Sequence, residues 1–484
     1  MGTATNDDSK EPLPEYNPMA KKTSGQQKFE QFRSQYPYFE YKGFDASIQD
    51  GSLKVIYDFS LSGSHSFHPT LSIPPRKFYK QPFNAALLSS QVLHSLLFHI
   101  GMIELVSYWK AACPERVIIK GHTLDSRQVK WWKKVYFNGL GEFFYTNGIN
   151  CTQDDFMKLE TEGPETETFE TELSDSVIVP VGGGKDSVVT LEMLRNDFNI
   201  HPFILNPRGA TLETAFTAKF GRHEIIEANR TIDPELIRLN QAGFLNGHTP
   251  FSAMLAFYSL LVSWLSGIRH IALSNESSAN ETTVAGSSIN HQYSKSYEFE
   301  KDFREYVKTY LSPEFNYFSY LRPLNELQIA GLFADHVRYY PVFKSCNVGS
   351  KTDIWCGHCA KCLFAWIILS PFIPLDELIH IFGKNLYEDP SLIGFLKQLT
   401  GIDEVKPFEC VGTIDEVNVA LMLFIRKYQK GRWPVLPDYY SNSLKYNEYL
   451  NFGPETLLKH FNDEHFLLPG FIQILEQRLA CKNW

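Results

Sequence analysis

The chain has 484 residues, too many for one ordinary hydrophobic core, so two or three domains are expected. Hydrophobic residues at 43% and charged residues at 21% exclude a mostly disordered or fibrous chain. A formal net charge of -9 opposes attraction to phosphate backbones and argues against a nucleic-acid partner.

Residues 1–27 are polar, contain proline and hold no apolar run, which excludes a secretory leader and predicts a flexible tail. From about Phe29 to Pro74 the pattern is strand-rich. Apolar and polar residues alternate over Leu53 to Phe59, and Asp50-Gly51 is a hairpin turn signal, so a small antiparallel sheet is expected. Val92, Leu93, Leu96, Leu97, Ile100, Ile103 and Leu105 then recur at helical spacing, as far as Cys113-Pro114. Together these elements predict an N-terminal α+β domain over 28–158. Residues 159–172, rich in Glu and Thr with Gly163-Pro164 inside, read as a solvated linker.

Beyond the linker the pattern changes to an apolar strand, Val177 to Val181, then glycines, then a helix carrying Val188, Leu191 and Leu194. Further strands are expected over His201 to Leu205 and Ile268 to Ser274. Strands that alternate with helices predict an α/β unit with a parallel sheet over 173–373, whose ligands sit beyond the carboxyl ends of strands. The most apolar run, Phe251 to Leu265, is interrupted by Ser252, Ser259 and Ser263 and is shorter than the ~20 residues of a membrane span. It reads as a buried helix, with no membrane partner. Residues 374–484 are expected to be helical, on the periodicity of Val417, Ala420, Leu421 and Phe424.

The strand-to-helix turn Gly182-Gly183-Gly184-Lys185-Asp186-Ser187 lets backbone N–H groups approach an anion, and the helix N-terminus favours negative charge. A Walker loop would need Gly at Val179 and Ser or Thr at Asp186, and a dinucleotide loop would need Gly at Ser187. The turn resembles the SGGxDS loop of PP-loop ATP pyrophosphatases at every position but the first, where Gly182 replaces Ser and removes one hydroxyl contact. That resemblance implies ATP cleavage between the α and β phosphates, with pyrophosphate contacts from Lys185 and Ser187 and a Mg2+-linked role for Asp186.

Of eight cysteines, Cys346, Cys356, Cys359 and Cys362 crowd into one short stretch, unlike a secreted disulfide framework, so a cytosolic compartment is expected. Four thiolates at this spacing can close a structural Zn2+ site. The spacing resembles the zinc site of 7-cyano-7-deazaguanine synthase, another PP-loop enzyme. An iron–sulfur cluster and unliganded packed thiols stand as the alternatives.

Longer stretches narrow the reading. Gly247-His248-Thr249-Pro250, Leu273 to Glu281, Lys344 to Asn347, Trp355 to Cys362, Lys406 to Thr413, and Trp131 to Phe143 resemble the UDP-N-acetylmuramoyl-L-alanyl-L-glutamate epimerases. The resemblance implies that the terminal L-Glu of a UDP-N-acetylmuramoyl dipeptide is activated as an acyl-adenylate, inverted at its α-carbon and hydrolysed, in peptidoglycan precursor synthesis. Asn275 joins the expected nucleotide contacts on the same ground. Cys410, His248, Glu276 and His291 are the candidates for proton transfer, each also readable as a packed or surface residue. Lys295, Arg208 and Lys344 are candidate partners of the substrate's diphosphate, or else solvated surface charges. An amide ligase or an RNA-thiolating enzyme of the same loop class remains the alternative.

Overall fold

The computed structural model describes residues 18–283, 289–428 and 432–482. Among them eleven strands form one sheet. In chain order these are β1 (Tyr38–Gln49), β2 (Ser52–Leu61), β3 (His65–Phe67), β4 (Thr70–Ile73), β5 (Arg116–Lys120), β6 (Lys158–Glu162), β7 (Ser174–Pro180), β8 (Ile200–Leu205), β9 (Ile226–Thr231), β10 (Ile268–Leu273) and β11 (Asn316–Ser319). Across the sheet they run β11-β10-β7-β8-β9-β4-β2-β1-β5-β6, with β3 paired to β2.

Strands β7 to β11 are mutually parallel. The chain leaves β7 in one direction through β8 and β9, then returns on the other side as β10 and β11. Such a reversal opens a crevice beyond the carboxyl ends of the two flanking strands, here β7 and β10, where open α/β sheets bind ligands.

The strands are apolar on both faces because both are covered. Val177 and Val179 enter one core while Ile178 enters the other, and Ile204 and Phe203, Phe318 and Tyr317 divide in the same way. Helices Lys185–Leu194, Glu326–Phe333, Ala360–Leu369 and Ile414–Lys427 cover the first face, through residues such as Val188, Ile329, Trp366 and Leu421. Helices Gln91–Trp109, Phe251–Ser266 and Tyr297–Tyr310 cover the second, through Ile103, Leu261 and Phe303. Gln91–Trp109 is the one described helix long and apolar enough to cross a membrane, and it lies buried against the protein's own core instead.

Several sequence expectations change. The expected tail over 1–27 holds the start of a helix, Pro18–Gln35, whose Phe32 stacks on Phe244 at 4.7 Å; residues 1–17 of that tail lie outside the described residues. The start of the expected linker over 159–172 falls in β6, which pairs in parallel with β5 through its backbone, so its Glu and Thr side chains need not be apolar. The expected domains over 28–158 and 173–373 share one sheet, because β4 pairs antiparallel with β9 through Thr70–Thr231, Leu71–Arg230 and Ser72–Asn229. The predicted hairpin forms at Asp50-Gly51, with both residues at positive φ as a type I′ turn requires.

Two buried guanidinium groups hold this assembly. Arg230 of β9 makes a two-pronged pair with Glu104, which also accepts a hydrogen bond from Tyr258 at 2.8 Å, so three elements meet at one carboxylate. Arg322 is fully buried. It donates to the Glu276 carbonyl at 2.5 Å, to the Lys295 carbonyl, to Ser319 Oγ at 3.2 Å and to Glu300 at 3.3 Å. Arg322→Ala leaves Glu300 charged and unpaired in the core, so we expect a loss of about 3–5 kcal/mol of stability. Arg322→Lys should recover only part of it, since one ammonium cannot serve four acceptors. Chemical denaturation reads both, and an unchanged midpoint for Arg322→Ala would contradict the assignment.

Candidate functional site

Strand β7 delivers the glycine turn to the crevice. The helix Lys185–Leu194 begins with Gly184 as its N-cap and no side chain caps its first turn, leaving backbone donors for an anion. Gly183 has φ +83°, a conformation that favours glycine, and its carbonyl accepts from the Lys344 N–H at 2.7 Å. Ser187 Oγ donates back to the Gly184 carbonyl at 3.0 Å. Lys185 is buried and pairs with Asp186 at 2.5 Å and with Glu326. Burial opposes its charge, but the two carboxylates outweigh burial and hold its pKa above the ordinary lysine range.

Neighbouring parallel strands bring the acidic residues together: Glu276 follows β10, and Glu326 opens the helix after β11. One carboxylate oxygen from each of Asp186, Glu276 and Glu326 lies within 4.8 Å of the others. Burial, with repulsion from Asp186, pushes Glu276 upward. Burial likewise raises Glu326 to about 7, against the pull of Lys185. Asp186 alone is drawn below its usual range, because Lys185, Lys361 and Lys295 overcome the effect of burial. Three crowded carboxylates with one lysine paired among them make a hard-oxygen donor set of the kind that suits Mg2+.

A second polar centre adjoins the first. His291 and Lys295 both act on Cys410 through their charge. Burial pushes the thiol up, but the Lys295 ammonium, His291 and the charge of Lys361 bring it down to about 5. Burial would lower His291, yet Cys410 and Glu142 raise it to about 9. Both shifts favour a thiolate beside an imidazolium. Glu142 accepts from His291 Nδ1 at 2.6 Å and lies 3.5 Å from His248 Nδ1. His248, with its ring 4.4 Å from His291, is lowered to about 4 by burial and the neighbouring imidazolium, and stays neutral. Lys295, raised above its ordinary range against burial by Cys410 and Glu276, connects the two centres.

The segment that carries Cys410 is irregular and pinned from several sides. Lys406 donates to the Gly412 carbonyl at 2.8 Å and pairs with Glu281, while Gln292 donates to the Val411 carbonyl at 3.1 Å. Thr413 and Glu416 form a capping box at the start of Ile414–Lys427. Buried Glu416 also accepts from the Glu326 N–H at 2.8 Å and from Ser278 at 2.5 Å, tying this helix to the acidic cluster. Farther back, Pro250 of the His248 loop packs where a Cβ at Gly139 would stand, at 2.6 Å, so glycine permits that approach.

The cysteine cluster assembles as its spacing predicts. All four Sγ atoms lie within 4.8 Å of one another. The pairs Cys346–Cys359, Cys356–Cys362 and Cys359–Cys362 stand at 3.8, 3.6 and 3.5 Å. Four thiolates on one tetrahedral ion with bonds of about 2.3 Å have sulfurs about 3.8 Å apart, so the set fits a single ion. A multi-iron cluster would spread the sulfurs wider. Backbone N–H groups of Gly349 and Gly357 donate to Cys346 and Cys362 at 3.2 and 3.4 Å. Lys361, in the first turn of the helix Ala360–Leu369, acts by its charge on Asp186, Glu276 and Cys410.

Three other expected residues have hydrogen-bond partners of their own. Asn275 donates to Ser319 Oγ at 3.1 Å and Arg208 to the Ser350 carbonyl at 3.3 Å. Lys344 Nζ donates to the Pro341 carbonyl at 3.0 Å. Sequence reasoning missed Glu142, Glu326 and Lys361. Glu142 lies within Gly141-Glu142-Phe143, a stretch already noted, but nothing in it marks the histidine partner.

Such a chain is a mixed α/β protein with two joined polar centres, one shaped for an anion and its counter-ion, the other for moving a proton. It belongs to the MurL family, whose N-terminal domain matches residues 30–320 and whose C-terminal domain matches residues 342–448. The two matched ranges are separated after β11. The chain is 33% identical over 383 residues to a protein of Xanthomonas oryzae pv. oryzae, covering 77% of this chain and 82% of the relative. It is 34% identical over 400 residues to one of Salinispora tropica, covering 80% and 84%. A Micromonospora relative is 32% identical over 412 residues, covering 82% and 89%. Each is named UDP-N-acetyl-alpha-D-muramoyl-L-alanyl-L-glutamate epimerase. No solved structure matches the chain.

The thiolate assignment predicts that alkylation of Cys410 by iodoacetamide, followed by mass spectrometry of its peptide, rises through pH about 5 and not through the ordinary thiol range. Lys295→Met removes a cation that favours the thiolate, so the inflection should move upward. Glu142→Gln should shift it in the same direction by weakening the imidazolium. An inflection that stays put in both variants contradicts the charged pair.

Proposed function

We propose that this chain is an ATP-dependent epimerase that inverts the terminal L-Glu of UDP-N-acetylmuramoyl-L-Ala-L-Glu through an acyl-adenylate, releasing AMP and pyrophosphate, in peptidoglycan precursor synthesis. The observation that carries the reading is the adjacency of the two centres, with Lys295 facing both Glu276 and Cys410. Loss of the α-proton beside a free carboxylate would put a second negative charge on an anion. A carboxylate converted to a neutral acyl-adenylate accepts that charge as an enolate. The activating and proton-moving groups must therefore address atoms two bonds apart, a carboxylate oxygen and the α-carbon, and adjoining centres suit that need. The names of the three relatives favour this reading over an amide ligase or an RNA-thiolating enzyme.

In this reading the loop is a PP-loop. The glycine turn and the uncapped helix start receive the phosphates of ATP, and Lys185 neutralises them. Asp186, Glu276 and Glu326 would hold Mg2+, which when bound offsets phosphate charge and makes the α-phosphorus a better electrophile. Cys410 takes the α-proton as thiolate, and His291, fixed by Glu142, keeps the thiolate charged. Lys295 and Lys361 offset the enolate's charge. The four cysteines hold structural Zn2+, and their loop braces the glycine turn through the Lys344–Gly183 bond. The cytoplasm, where ATP and nucleotide-linked precursors are at hand, is the compartment we assign, and neither nucleic acid nor membrane enters the reaction.

Product formed in D2O should carry deuterium at the glutamate α-carbon, with one AMP per turnover and no inversion without ATP and Mg2+. Asp186→Asn should lower pyrophosphate release by about 100-fold or more while the protein stays folded. Cys410→Ala should keep pyrophosphate release yet slow α-proton exchange by about 10²–10⁴-fold. ATP cleavage with no α-proton exchange in the unaltered enzyme would transfer the assignment to a ligase. Elemental analysis should find one zinc per chain, and Cys356→Ser should lose the metal and lower the melting temperature. Folded, active protein without zinc contradicts the metal role.

A further inference from the structure

A cavity of about 490 Å3 lies beside the proton-moving centre. Phe137, Phe144 and Tyr145 give it aromatic walls, and Gln26, Asn138 and Asn150 give it carboxamides. No charged side chain appears among its described lining residues. Its volume falls in the range of ordinary small-molecule sites, roughly 300–1,000 Å3.

Three connections join it to the chemistry. Gly141, in its wall, precedes Glu142 in the helix Gly141–Asn147. Ile289, also in the wall, stands two residues before His291. Tyr145 packs its ring against Phe408 at 5.4 Å, two residues before Cys410. Each segment that presents a proton-handling residue thus also builds or buttresses the cavity.

The uncharged lining argues against the diphosphate of the substrate, which would call for cations. Aromatic faces suit the apolar side of a pyranose ring, and carboxamides pair with acetamido and peptide groups in both donor and acceptor senses. We propose that this cavity holds the N-acetylmuramoyl-L-alanyl stem of the substrate, the neutral sugar–amide portion between the reacting glutamate and the diphosphate. This rests on the epimerase reading and extends it: the enzyme selects a glycopeptide by its stem, while the centres behind Glu142 and Cys410 act on its last residue.

The test uses N-acetylmuramoyl-L-alanine methylamide, which has neither glutamate nor UDP and cannot react. It should bind the unaltered protein in calorimetry and compete with the full substrate but not with ATP. Asn150→Trp, which places a bulky ring at an exposed edge of the cavity, should weaken probe binding at least tenfold and raise KM for the full substrate similarly. Its kcat should change far less than its KM. Probe binding unmoved by Asn150→Trp overturns the proposal, as does an active unaltered enzyme that the probe neither binds nor inhibits. If Asn150→Trp folds poorly, the competition experiment on the unaltered enzyme decides alone. Probe binding without any α-proton exchange on the full substrate would keep the cavity and discard the epimerase reading.

Discussion

Much of the site depends on one buried cation. Arg322, without solvent contact, gathers the carbonyls of Glu276 and Lys295 and the carboxylate of Glu300. A guanidinium in a dry core is costly unless its donors are matched; here two backbone carbonyls and two side chains accept from its terminal nitrogens, while Nε has no partner among the described residues. The consequence is positional. Glu276 belongs to the acidic cluster and Lys295 to the thiolate, so one side chain sets the spacing of two reactive groups that it never presents to a ligand.

The two centres divide the electrostatic work. Around the glycine turn, three carboxylates converge on one paired lysine and offer oxygen ligands to a cation. Around Cys410 the balance reverses, with Lys295, His291 and Lys361 facing one thiol. A substrate whose carboxylate gains a phosphate and whose α-carbon then gains negative charge fits between a cation-seeking and an anion-seeking site. The cysteine segment touches both, since Lys344 just before it bonds the glycine turn by its backbone and Lys361 within it acts by its charge on the thiol.

Local chemistry was legible where neighbours in sequence are neighbours in space. The Asp50-Gly51 turn, the glycine turn and the cysteine cluster each complete themselves within a few residues, and all three form as expected. Cys410 was named as a candidate, but its environment comes from Glu142, His291 and Lys295, brought in from distant segments. The same limit hid the continuous sheet. Thr70 to Ser72 carry no mark of the partner strand near Thr231, so a polar connector rich in Glu and Thr passed for a domain boundary. Likewise helical periodicity at Pro18–Gln35 is weak because most of that helix is polar, and only contacts such as Phe32 with Phe244 reveal that it packs.

The β4–β9 pairing also sets an order of events during synthesis. The N-terminal strands can pair among themselves as they emerge, but β4 stays an open edge until β9 follows, roughly 150 residues later, about ten seconds or more at ordinary translation rates. An unpaired edge is a template for aggregation. This one is four residues long, and it lies between Pro69 and Pro74-Pro75, which lack the N–H that an intruding strand would need. The prolines that bracket β4 thus guard a nascent edge that the finished protein no longer exposes.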